Sequence, residues 1–409
     1  MRLDSFAKNT VIMLAASSLG SFFNLLYQLT MLRLMSKDKF ASLNSLIALL
    51  AILAVPAAAF TTMVTKHVSA YNARKKLEHL KAAWRKLAMD TLCFSLIVFI
   101  LIVLLRRNIA SFLHLDSLGS ITILSLIFFL VCLSSVVTGG LQGLEKFKWL
   151  AIVGVVAGFS KLLFSVVLIK SISDTLLAGL SGFLLSTATG VVLCLWPLRF
   201  LIKGRSKEKI EAKELYVYIF PVLIVSLCFT LVTNIDLVLV KHFFLGEAQN
   251  YSIAQMIGKI ILFLPGVIYA IMFSRVSGLH ALKSGSREIL KRSLFYTFIL
   301  SFSAVVAYNL FPKVIFVLLT GESSREIVLL GRFFSLAMLF YALSNVLFVY
   351  QLSVERYNFI RPLVLIALSQ IIAICLFHTT TVWVVGIMLA GSVVMFSLNL
   401  SSALSKAKT

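Results

Sequence analysis

Acidic residues are scarce in this chain: 16 Asp and Glu stand against 38 Lys and Arg, and charged residues make up only 13% of 409. A soluble globular domain carries about twice that charge fraction, so an ordinary water-soluble fold is excluded. The six histidines are scattered, none at metal-ligand spacing from another His, Cys or carboxylate, which removes the usual zinc patterns. A GxxxxGK[ST] loop is missing, so nucleotide hydrolysis by that device is excluded. The five cysteines (Cys93, Cys132, Cys194, Cys228, Cys375) all lie in apolar segments far apart in sequence. They read as small core residues, with no disulfide framework.

What the chain has in quantity is apolar sequence: 60% of residues are hydrophobic, 33 of them phenylalanine. Runs of about 20 apolar residues, each long enough to cross about 30 Å of hydrocarbon, follow one another from end to end. Their pattern predicts an all-α polytopic membrane protein of twelve spans, at roughly 9–35, 40–64, 84–105, 118–140, 147–170, 174–201, 215–242, 248–274, 292–312, 326–351, 359–378 and 382–404. The N-terminal run has the charge flank of a signal peptide but continues to Met35 without a small-residue cleavage site, and reads as a retained first span.

The net charge of +22 is explained by where the cations sit. Twenty-six of the 38 Lys and Arg fall at the termini and in alternate loops, nine in the opposite loops, and three (Lys161, Lys259, Arg332) within spans. Basic short loops stay cytoplasmic, which places both termini inside a cytoplasmic membrane and makes anionic lipid, not nucleic acid, the partner of the charge. The basic stretch at 66–90 is amphipathic enough to lie on the inner surface as a helix. Another, "KGRSKEKIEAKE" at 203–214, falls at the midpoint and reads as a linker between lobes 1–202 and 215–409. Sliding one half over the other by 209 places Pro56 on Pro265, Met63 on Met272 and Lys66 on Arg275. Six spans per half give both the same orientation, with a pseudo-two-fold axis along the membrane normal.

Ionisable groups deep in a membrane usually face a bundle interior or a wet cavity. Asp236, in "LVTNIDLVLVKHF", lies in the outer part of span 7. Lys259 falls near the middle of span 8, Lys161 past the middle of span 5, and Arg332 and Arg33 near the outer ends of spans 10 and 1. A cavity with several cations and one acid suits an anionic cargo, with phosphate the first candidate. Against this, Arg33, Arg332 and Lys161 have the reach to snorkel to outer headgroups, and Asp236 with Lys259 would serve as a structural pair. Asn24, Gln28, Asn234 and Gln255 have amides suited to bridging helices or to binding sugar hydroxyls. Asp90, four residues after Lys86, reads as an interfacial salt-bridge partner. Catalysis is not expected: the outer loops are too short to carry an active site, and no catalytic constellation is present.

The stretch 233–277, with "TNID", an outer turn and a central proline, resembles the seventh and eighth spans of polysaccharide flippases (Wzx-like) in the multidrug/oligosaccharidyl-lipid/polysaccharide (MOP) exporter superfamily. "VTGGLQGLEKFKWLAIVGVVAGFSKLLFSVVLI" (137–169) resembles that family's fourth-span end and fifth span, and "NTVIMLAASSLGSFFNLLYQL" its first. The resemblance implies a MATE-like pair of six-helix lobes around a cavity, and transport of polyprenyl-diphosphate-linked oligosaccharide for O-antigen, capsule or another surface polysaccharide. It puts Asp236 at the family's acidic position in span 7, with Lys259 and Arg332 as cavity cations. No cofactor is implied beyond coupling to Na⁺ or H⁺; a polysaccharide polymerase or glycosyltransferases are candidate partners. Three alternatives stand beside it: an ion-coupled drug or organic-cation antiporter of the same superfamily, a non-transporting scaffold for glycosyltransferases, and a lipid scramblase without sugar specificity.

Overall fold

The computed structural model describes residues 3–171, 174–202, 219–281, 286–321 and 324–404. Among these, every regular element is a helix. By contact pattern the chain divides into two compact units, Met1–Leu223 and Ile224–Thr409. The expected linker at 203–214 lies outside the described residues.

In the first unit the helices are α1 (Leu3–Leu34), α2 (Lys37–Leu53), α3 (Val55–Ala73), α4 (Leu77–Leu104), the short α5 (Arg106–Phe112), α6 (Leu118–Gly143), α7 (Phe147–Ser171) and α8 (Thr175–Ile202). From α9 (Ile219–Phe243) the chain continues through α10 (Ala248–Phe263), α11 (Gly266–Ala281), α12 (Arg287–Leu310), the short α13 (Pro312–Thr320), α14 (Arg325–Ser353), α15 (Ile360–Leu376) and α16 (Thr381–Leu404). Among the described residues, eight of these helices are long and apolar enough to cross a membrane, and the α2/α3 pair, bent by 42°, makes a ninth candidate. The remaining three expected spans coincide with α1, with the α10/α11 pair and with the 17-residue α15.

The two prolines aligned by the sequence offset mark the breaks. A proline donates no backbone hydrogen bond and its ring crowds the preceding turn. Pro56 sits in the first turn of α3 and Pro265 immediately before α11. The offset of about 209 carries through the other elements: α4 matches α12, α5 matches α13, α6 matches α14, α7 matches α15 and α8 matches α16. Even the inner turns repeat. Glu145 after α6 and Glu355 after α14 both adopt the left-handed conformation, at φ 55° and 54°. The next amides, Lys146 and Arg356, reach back to Leu141 O and Gln351 O at 2.9 Å. This is the Schellman closure, in which the left-handed residue lets the chain turn back and satisfy the helix's last carbonyls.

The expected surface helix over 66–90 is not present as such. That stretch is the end of α3, a turn at 74–76 and the first turns of α4. Leu80, Trp84 and Leu87, at helical spacing, join Val64 and Val68 of α3, Val137 and Leu141 of α6, and Leu198 and Leu201 of α8 in one buried cluster. The face carrying Leu80, Trp84 and Leu87 therefore packs on protein, not on a lipid surface. Nearby, Pro197 inside α8 cannot donate to Leu193 O, and the Trp149 indole N–H fills that vacancy at 2.8 Å. Lys146 and Arg85 donate to Pro197 O and Leu201 O, at 2.9 and 3.1 Å, where the carbonyl end of α8 favours cations. Asp90 pairs with Lys86 at 3.3 Å, as expected.

Candidate functional site

The second unit's polar core begins with α10. Tyr251, Gln255 and Lys259 recur every four residues, so they line one face of that helix. That face meets α9, the preceding arm of a hairpin closed by a short turn at Gly246. Asp236 on α9 is fully buried, and its Oδ2 accepts from the Tyr251 hydroxyl at 2.8 Å and from Gln255 Nε2 at 2.7 Å. Its Oδ1 has no hydrogen-bond partner among the described residues. A buried carboxylate oxygen without a donor costs free energy. A proton or a small cation on Oδ1 would remove that cost.

Lys259 does not form the structural ion pair with Asp236. Its Nζ donates instead to Asn234 Oδ1 at 2.8 Å. An outer ring of neutral groups closes around the acid: Tyr341 on α14 donates to Gln370 Oε1 on α15 at 2.8 Å, and Gln370 Nε2 donates to Val232 O on α9 at 2.9 Å. Tyr251 is held from behind by Phe334, ring centroids 5.0 Å apart and edge-to-face. Gly258 lets α14 approach this closely, since a Cβ there would stand 2.9 Å from Phe334 Cβ.

In the first unit, Lys161 on α7 is buried, and its Nζ donates to Asn24 Oδ1 on α1 at 3.3 Å. It lies over the Tyr27 ring at 4.2 Å and the Phe183 ring at 3.9 Å. Gln28, one turn on from Asn24, has a buried amide oxygen without a partner. Glycines bring the helices together: a Cβ at Gly158 would meet Phe23 Cβ at 3.1 Å and Gly20 O at 3.3 Å.

The two arrangements share their asparagine but draw the lysine from helices that do not correspond, α7 and α10. Asn24 and Asn234 occupy equivalent places on the first helix of each unit, α1 and α9. Each donates to the carbonyl four residues back, Gly20 O at 3.0 Å and Thr230 O at 2.9 Å, and each presents its amide oxygen to a lysine. Among the described residues, no carboxylate lies within ion-pair distance of Lys161 or Lys259. The other two expected cations are not brought in: Arg33 and Arg332 are exposed on α1 and α14. Sequence reasoning missed Tyr251, Tyr341, Gln370, Tyr27 and Phe183. The four-residue spacing of Tyr251 to Gln255 was a readable signal; Tyr341 and Tyr27 look like ordinary residues of an apolar run. Among the described residues there is no cluster of three His, Cys, Asp or Glu that would hold a metal ion.

A bundle of membrane-length helices with lysines held inside it defines a class, the polytopic α-helical membrane proteins. The chain is similar over 98% of its length, and over 100% of the other chain, to an inward-facing multidrug-resistance MATE family transporter of the MOP superfamily (TM-score 0.76, 13% identity). It is similar to the MATE multidrug transporter DinF-BH over 98% of this chain and 96% of that one (TM-score 0.72, 14% identity). The lipid II flippase MurJ in an inward closed conformation shares the fold over 95% of this chain and 87% of that one (TM-score 0.68, 14% identity). No curated protein matches it in sequence. The family model described as polysaccharide biosynthesis protein matches residues 6–277, more than half of the chain, and the protein belongs to that family.

Proposed function

We propose that the protein is a flippase that carries polyprenyl-diphosphate-linked oligosaccharide across the cytoplasmic membrane by alternating access, with both termini cytoplasmic. The observation that carries this reading is the pair of lysines, Lys161 and Lys259: each is held by an asparagine amide, neither makes a direct ion pair among the described residues, and only Lys259 feels a nearby acid, Asp236. A lysine at depth without a counter-ion is costly, and an anionic headgroup offsets that cost. Asparagine and glutamine amides beside each lysine supply donors and acceptors for sugar hydroxyls. Membership of the polysaccharide biosynthesis family and the fold shared with the lipid II flippase MurJ support the same cargo class. The partners are then the lipid-linked glycan and the surrounding lipids, with a polymerase or glycosyltransferases acting before or after.

Asp236 is the coupling group in this reading. Its unpartnered Oδ1, beside the Tyr251 hydroxyl, suits a proton or Na⁺. The same feature, with the MATE fold, favours a second reading: an organic-cation antiporter driven through Asp236. Translocation of a labelled polyprenyl-diphosphate oligosaccharide in proteoliposomes separates the two. Movement by wild type that falls at least tenfold in Lys259→Ala is the expected result. Export of an organic cation under an ion gradient, with no headgroup movement, would transfer the protein to the antiporter reading. Asp236→Asn with transport and its pH or Na⁺ dependence unchanged would remove the coupling role.

A further inference from the structure

The surroundings of Lys161 are those of a receptor for an ammonium ion. Its Nζ lies between two aromatic faces, Tyr27 at 4.2 Å and Phe183 at 3.9 Å, with Asn24 Oδ1 at 3.3 Å. Ring quadrupoles attract a cation, most strongly where water is excluded, and this combination recognises alkylammonium ligands. Here the ligand is the chain's own side chain. Lys161 is only 8% exposed, and among the described residues no acid accompanies it.

The cage is built by backbone packing, not by the lysine. Tyr27 is fully buried and its hydroxyl reaches Gly179 O at 3.4 Å. Phe183 stands one turn further along α8, next to Gly182, which lies so close to α7 that a Cβ would fall 2.6 Å from Ser165 Cα. Both rings therefore stay in place when the lysine is shortened. Asn24 is exposed and gives the site an open side.

We infer that Tyr27, Phe183 and Asn24 form an alkylammonium site that Lys161 fills from within, and that this tethered cation sets specificity against organic cations. The specificity half rests on the headgroup reading above; the site itself does not.

The test uses n-propylammonium, which replaces the four heavy atoms removed by Lys161→Ala, and tetramethylammonium as a bulkier probe. Binding is measured by calorimetry and by thermal shift on the full chain in lipid nanodiscs. Lys161→Ala is expected to bind n-propylammonium saturably and to gain thermal stability from it. Wild type and Lys161→Arg are expected to show neither, and Phe183→Leu added to Lys161→Ala to weaken binding tenfold or more. Absent binding in Lys161→Ala, equal binding by wild type, or no effect of Phe183→Leu would each overturn the proposal. Lys161→Ser is judged by the same criteria. If neither variant folds even with the amine present, the proposal also fails, because it requires a cage that stands without the lysine. Headgroup translocation by wild type is measured separately, so failure of the ammonium site leaves the flippase reading intact, and the reverse holds too.

Discussion

Asn24 and Asn234 show how much one side chain accomplishes inside a membrane bundle. The amide N–H satisfies the residue's own helix, and the amide oxygen faces a lysine from the next packed helix. A carboxylate in that place would neutralise the lysine; the amide orients it and leaves the charge available. Charge pairs form elsewhere. Lys39, at the start of α2, meets Asp174, just before α8, at 2.7 Å, and the same carboxyl oxygen accepts from Leu176 N at 3.0 Å. Burial alone raises Asp174, but the Lys39 ammonium and the Leu176 amide bind its anion and hold it below the ordinary value of 3.8. A depressed carboxyl stabilises the folded state above its unfolded value and loses that contribution as pH falls through the folded one. Asp174→Asn is therefore expected to lower stability at neutral pH by about 0.2–1 kcal/mol, the range of a solvent-screened pair. Thermal melts in detergent should show the gap between wild type and variant closing as pH falls below the ordinary carboxyl value of 3.8. A gap that persists unchanged into acid would mean that the pair does not act through its charge.

At the scale of helices, the contacts that place the site are set by small residues. Gly154, Gly158 and Gly182 differ in what a methyl group would meet. At Gly154 it meets nothing within 4 Å, at Gly158 it presses on Phe23 Cβ at 3.1 Å, and at Gly182 it runs into the backbone of Ser165 at 2.6 Å. A side chain can yield, but a helix backbone cannot without parting α7 from α8. Gly154→Ala is expected to keep or slightly raise stability, by up to about 1 kcal/mol from helix propensity. Gly182→Ala is expected to cost about 3 kcal/mol or more, with Gly158→Ala between them. Melting temperatures measured at one scan rate check the order. Equal melting of the Gly154 and Gly182 variants would show that α7 and α8 are not packed as described. Pro56 and Pro265 were legible as markers of a repeat, but the spans around them read as continuous, and only the structure shows the helix breaks at these prolines. Asp236 and Lys259 were legible because an ionisable group in an apolar run is conspicuous. The partners were not: Tyr341, Gln370 and Tyr27 come from helices remote in sequence, and only the packing shows that they face a charge. The surface-helix expectation failed for a related reason, since an apolar stripe says that a face is buried but not whether lipid or protein buries it.

Across the whole chain, the offset of about 209 aligns helix breaks, short helices and inner turns, so each unit is a copy of one plan. The expected topology, with six crossings in each half, rests on the alternation of basic loops. The loops then have fixed addresses. The turns at Lys75 and Glu145 belong to the basic set and the turns at His114 and Gly246 to the opposite set. In a background with all five cysteines replaced, Lys75→Cys and Glu145→Cys are expected to react with a membrane-impermeant maleimide only after the cells are permeabilised. His114→Cys and Gly246→Cys are expected to react on intact cells. The reverse pattern would invert the molecule and put the cationic loops outside, against the rule that short Lys- and Arg-rich loops remain cytoplasmic. Labelling of Lys75→Cys and His114→Cys from the same side would be more damaging. It would mean that α4, at 28 residues amply long to span, does not cross the bilayer. The alternation of basic loops would then have to be explained by something other than topology.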